Sequence, residues 1–134
     1  MKPLLIWLAI VAVVFGAYAL ITAAVRDTRQ VFVVVDSSYQ MRPVWSDVQR
    51  EVDRVDDEEH AEFALATTMQ GSIHSWQPEL TLVGVDTAFG PCTFEGIADH
   101  PEAIEADERI LVTTSDNQCS TAELVDWDII ELEP

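Results

Sequence analysis

The 134-residue chain reads as an α/β protein, a small mostly parallel sheet flanked by helices, preceded by one transmembrane helix. Three observations lead there. Residues 3–25 form a 23-residue run without a charge. Two later segments, QVFVVVD (30–36) and RILVTT (109–114), are near-continuous apolar, β-branched runs, as a strand covered on both faces requires. Around them strand-like and helix-like patterns alternate, which favours helices layered on a mostly parallel sheet.

At 1.5 Å of rise per residue, the segment from Pro3 to Val25 is roughly 34 Å long, enough to cross a hydrocarbon core of roughly 30 Å. Met1-Lys2 followed by an apolar stretch and Ala17-Tyr18-Ala19 also fits a cleaved signal peptide. The apolar run continues to Val25, longer than a signal core, and Trp7 and Tyr18 sit where interfacial aromatics are useful, so a retained signal anchor is expected. Lys2 on one side and Arg26 and Arg29 on the other leave the positive-inside rule undecided. Cys92 and Cys119 permit one disulfide if the domain is exported, with two buried thiols as the alternative. The expectation is a single-pass membrane protein whose soluble domain, residues 27–134, lies on the non-cytoplasmic (periplasmic or extracellular) side.

That domain is strongly acidic. Beyond residue 29 it carries four Arg against 23 Asp and Glu, a net charge of −19. Phosphates would repel such a surface, which excludes a nucleic-acid binder. Its many β-branched and aromatic residues exclude a disordered acidic tail. The charge fits a solubilising surface or a docking face for a basic partner.

Along the domain, strand 30–36 is followed by the polar turn Ser37-Ser38-Tyr39-Gln40. Pro43 suits a first helical turn, and Val44, Trp45, Val48, Val52 and Val55 fall at helical spacing within 44–59. The terminal patch Asp56-Asp57-Glu58-Glu59 opposes the helix dipole and predicts fraying. Segments 62–68 and 72–76 around Gln70-Gly71 read as a hairpin, and 80–86 (LTLVGVD) as a further strand. Gly90-Pro91 marks a loop, 101–105 a short helical turn, 109–114 a buried strand, 121–126 a brief helix, and 127–132 a closing strand. Phe63, Trp76 and Trp127 are expected in the core.

In open α/β sheets, ligands gather at the carboxyl ends of strands. Two predicted strands end there in oxygen-rich loops, Asp36-Ser37-Ser38-Tyr39-Gln40 and Thr113-Thr114-Ser115-Asp116. Such hard donors suit Mg²⁺ or Ca²⁺ rather than zinc, unless they are only helix caps and turns.

VFVVVDSSYQM with the following Trp45-bearing helix resembles the first strand and helix of the von Willebrand factor type A domain. The family carries D-x-S-x-S there, the core of its metal-ion-dependent adhesion site. Asp36 and Ser38 match, and Gln40 stands at the second serine. RILVTTSDN resembles the family's later central strand, which ends in T-D-G; Thr113 matches, Thr114 replaces the aspartate, and Asp116 lies two residues on. Thr87 and Thr93 are the candidates for the family's remaining threonine ligand. The resemblance spans about residues 30–133, a shorter domain than the family's, and implies a degenerate site of Asp36, Ser38, Gln40 and Asp116 that holds Mg²⁺ or Ca²⁺ weakly or holds none.

Val35-Asp36-Ser37-Ser38 and Val85-Asp86-Thr87-Ala88 also have the look of paired aspartic-protease elements, but both lack the glycine of that turn. His60, His74 and His100 form no local metal motif, and no nucleophile–base pair or phosphate loop occurs. The sequence therefore predicts no enzyme. It predicts a membrane-anchored interaction module whose partner is another protein of the membrane or envelope. Two alternatives stand beside it: a small single-span accessory subunit docked through residues 3–25, and a divalent-cation-dependent adhesion domain. If Cys92 and Cys119 pair, the loop of about 27 residues they close would stabilise the domain by roughly 3 kcal/mol.

Overall fold

The computed structural model describes residues 2–26, 28–57, 61–116 and 118–134, and the side chains of these except residues 22–26. Helix α1 (Lys2–Arg26) is long and apolar enough to cross a membrane, and a helix of this kind near an N-terminus also fits a signal sequence. Its large side chains, Leu4 to Ile21, are exposed.

The described residues of the domain form five strands: β1 (Arg29–Val35), β2 (Ala61–Thr67), β3 (Gly71–Gln77), β4 (Glu108–Thr114) and β5 (Asp128–Leu132). Their order across the sheet is β3-β2-β1-β4-β5. β1 pairs in parallel with β2 and β4, and β4 in parallel with β5; β3 alone is antiparallel, to β2. β1 therefore lies at the centre, which its apolar run foretold, because both of its faces are covered. Val31, Val33 and Val35 pack on one side with Met41, Val44, Val48, Val52 and Val55. Phe32 and Val34 pack on the other with Phe94, Ile97, Ala103, Leu111, Leu124 and Trp127.

A 3-10 turn (Tyr39–Val44) leads into helix α2 (Trp45–Asp56), whose valines at helical spacing form its buried stripe. The chain leaves the helical path at Asp57, and Asp56 is used differently from the fraying expected. Its Oδ1 accepts the backbone N–H of Leu80 at 2.7 Å, tying a later loop to the end of the helix. Glu58, Glu59 and His60 lie outside the described residues, and with them the last part of the expected helix.

The hairpin forms as read. Gly71 closes its loop with φ +74°, a left-handed conformation that favours glycine. Pairing between β2 and β3 is irregular around Leu65. Helix α3 (Pro101–Glu105) forms on the second face.

Two expected elements do not form. Residues 80–86 are a loop rather than a strand. Leu80 is buried and Leu82 and Val85 are half-buried against the core, so the apolar pattern records packing, not pairing. The segment turns back on itself where the N–H of Val85 donates to the carbonyl of Leu82, and Gly84 sits at φ +92°. Residues 121–126 form consecutive turns instead of a helix, with Leu124 N–H donating to Thr121 O and Trp127 N–H to Leu124 O. Leu124 and Trp127 are anchored in the core from these turns. Phe63 is fully buried and Trp127 buried, while Trp76 is half-buried with its indole N–H donating to Glu105 Oε2.

Candidate functional site

At the carboxyl edge of β1 the chain turns around Asp36, whose side chain is 0% exposed. Its backbone N–H still belongs to the sheet and donates to Val112 O. Oδ1 accepts the Ser38 N–H at 2.9 Å, an Asx-type turn, and Oδ2 accepts the Thr113 hydroxyl at 2.7 Å. The second bond crosses from the end of β1 to the end of β4, which are neighbours because those strands pair. Among the described residues no arginine or lysine pairs with Asp36.

The next residues tie down the surroundings. Ser37 is bonded to Thr68 by its N–H and its hydroxyl, and its Oγ accepts the Met69 N–H. Ser38 bridges to Gly90; Tyr39 N–H donates to Gly90 O, and Gly90 N–H donates to Ser37 O. Ser38 Oγ donates to Gln40 Oε1 at 3.2 Å. Gly90 lies so close to the thioether of Met69 that a β-carbon there would collide with it.

Asp36, Ser38 and Gln40 are thus brought into one hydrogen-bonded chain, with Thr113 joining from β4. Asp116 is exposed at the end of β4, its N–H bonded by Thr114 Oγ1, and does not share the close neighbourhood of Asp36. Thr87 and Thr93 are both exposed, and Thr93 Oγ1 accepts the Glu95 N–H. Asp86 is exposed on the loop held by Gln70, with its N–H donating to Gln70 Oε1, so Asp36 and Asp86 occupy unlike settings and form no dyad. His74 pairs opposite Leu65 within the hairpin and His100 lies against the ring of Phe32, both away from the Asp36 loop.

Two features complete the site: the disulfide, whose pairing the two cysteines permitted but whose place beside Asp36 carries no signal in the sequence, and a patch not foreseen there. Cys92 and Cys119 form a disulfide, Cα–Cα 5.6 Å, that links the loop before α3 to the loop after β4. Their sulfurs and an Asp36 carboxylate oxygen all lie within 4.8 Å of one another. The second feature is an aromatic–arginine patch on the rim. The Arg42 guanidinium lies over the rings of Tyr39 (5.6 Å) and Phe89 (5.3 Å), and Phe89 meets Trp45 edge-on at 5.4 Å. Tyr39 is 59% and Met69 43% exposed beside it. Arg50 and Arg54 are engaged by Asp47 and Glu51, whereas Arg42 has no carboxylate at ion-pair distance among the described residues. The spacing of Tyr39, Arg42 and Trp45, every third residue through a 3-10 turn and into a helix, was the available signal for the patch.

Family models, curated proteins and solved structures give no match to this chain.

Proposed function

We propose that this chain is a membrane-anchored, non-catalytic protein-interaction module, held by α1, with a degenerate von Willebrand factor type A-like domain on the non-cytoplasmic side. Its partner is another protein of the same membrane or envelope. The observation that carries the proposal is the Tyr39–Arg42–Phe89 patch. Tyrosine, tryptophan and arginine are enriched among the few residues that dominate binding at protein interfaces, and here they stand on a rim fixed by backbone pairing to Gly90. In a domain of net charge −19, Arg42 is an exposed cation stacked on aromatic rings, suited to a partner carboxylate. The disulfide supports placement outside the cytoplasm, since structural disulfides persist in oxidising compartments. The degenerate adhesion site contributes shape: both Asp36 oxygens are engaged in holding loops together.

A second reading, the accessory subunit, is favoured by the exposed apolar side chains of α1 and by Gly16-Ala17 with Ala19, which permit close helix packing. Affinity capture from solubilised membranes separates the two. The module reading expects Tyr39→Ala with Arg42→Ala to lose the partner while deletion of residues 1–26 retains it. The reverse pattern overturns it in favour of the subunit. Saturable one-to-one Mg²⁺ or Ca²⁺ binding that Asp36→Asn abolishes would favour the cation-dependent adhesion domain instead.

A further inference from the structure

The cluster of Asp36, Cys92 and Cys119 combines a fully buried carboxylate, no basic partner among the described residues, and two sulfurs within 4.8 Å of a carboxylate oxygen. We propose that the Cys92–Cys119 disulfide and a thiophilic divalent cation, with zinc the best fit, are alternative states of this cluster. When a dithiol reductant opens the bridge, the Cys92 and Cys119 sulfurs and the Asp36 carboxylate become a three-ligand zinc site with a fourth position for water.

The chemistry balances. The dithiol closes to its own disulfide while the Cys92–Cys119 bond breaks and each sulfur receives one proton. Metal binding then releases both protons to solvent, because zinc is held by thiolates. A tetrahedral ion with Zn–S of about 2.3 Å needs its sulfurs about 3.8 Å apart. The sulfurs therefore move apart when the bond opens, to a separation of the same order as the 4.8 Å within which the three ligand atoms lie. Two sulfurs and one oxygen select a softer ion than the all-oxygen set of Asp36, Ser38 and Gln40.

Three further observations make this a prepared site. Asp36 is oriented by the Ser38 N–H on one oxygen and the Thr113 hydroxyl on the other, the outer bonds that metal-ligating carboxylates usually carry. Solvent reaches the sulfur side of the site, where Cys92 and Cys119 line a cleft of about 340 Å³. Glu95 and Glu123 flank that cleft and raise the local concentration of cations. A buried carboxylate without a basic neighbour is also where a bound cation supplies the missing counter-charge.

The test uses the full chain in detergent, oxidised or reduced with a dithiol and then desalted under nitrogen. Each form is titrated with Co²⁺ as a spectroscopic stand-in for zinc, in millimolar Mg²⁺ to occupy the acidic surface. The reduced chain should bind one Co²⁺ with thiolate-to-metal charge-transfer absorption and tetrahedral visible bands, and Zn²⁺ should displace it. The oxidised chain should show neither band. Asp36→Asn should weaken binding to the reduced chain at least tenfold while sulfur charge transfer survives. Thr113→Val, which keeps every ligand and removes one orienting bond, should weaken it about 10- to 100-fold. Absence of charge transfer in the reduced chain overturns the proposal, as does equal Co²⁺ affinity in the oxidised form. Unchanged affinity in a folded Asp36→Asn variant overturns the three-ligand assignment. Should that variant not fold, the oxidised–reduced comparison of the unmodified chain decides alone.

Discussion

Asp36 shows how one side chain can join elements distant in sequence. Its two oxygens take a backbone N–H from its own turn and a hydroxyl from β4, 77 residues away. Removing the hydroxyl with Thr113→Val leaves a buried carboxylate oxygen short of a donor, which is expected to destabilise the domain by about 1–3 kcal/mol in urea denaturation. Gly90 offers a contrasting case. A β-carbon there meets the thioether of Met69, the flexible end of an exposed side chain, and not the backbone. Gly90→Ala is therefore expected to move Met69 and change stability by less than about 1 kcal/mol, checked in the same denaturation series.

At the scale of elements, the loop 78–86 stands where a strand was expected, because its apolar residues are used for packing rather than for extending the sheet beyond the edge strand β3. β3 takes the edge beside β2, and the apolar residues that follow fold back over the helix-bearing face instead. What fixes the loop is Asp56 at the end of α2, whose carboxylate holds the Leu80 N–H. Asp56→Ala is expected to speed hydrogen exchange at Leu80 and lower stability by about 1 kcal/mol, with the amides of β1 and β4 unaffected relative to global unfolding. On the other face, Leu111→Ala deletes a fully buried side chain from the cluster around Phe32 and Trp127, with an expected loss of about 2–5 kcal/mol.

For the whole molecule, charge and cross-linking set the conditions of stability. With −19 spread over the soluble domain, self-repulsion opposes the compact state, and salt screens it. The melting temperature is expected to rise between low ionic strength and about 0.5 M salt, where the Debye length falls below 5 Å. A melting temperature that falls with salt would show that ion pairs such as Arg29–Glu108 outweigh the repulsion. Reduction of Cys92–Cys119, which are 27 residues apart, is expected to lower stability by about 3 kcal/mol on the chain-entropy model, and metal-free buffer is needed to see the full effect.

The sequence by itself determined the elements whose periodicity answers to burial. An uncharged 23-residue run reads as a long apolar helix, a β-branched run at 30–36 fits a strand covered on both sides, and valines at helical spacing mark α2. It also marked Asp36 and Ser38 as a polar turn at the carboxyl end of that strand. Only the tertiary structure decided what meets that turn. Apolar residues at 80–86 and 121–126 looked like regular elements because burial writes the same composition whether the backbone is paired, helical or merely anchored. Asp116 shares the oxygen-rich sequence of its loop yet stands exposed, while Cys92 and Cys119 arrive at Asp36 from loops 27 residues apart. Such meetings depend on strand order, with β4 placed beside β1, and strand order is a property of non-local pairing that no local pattern encodes.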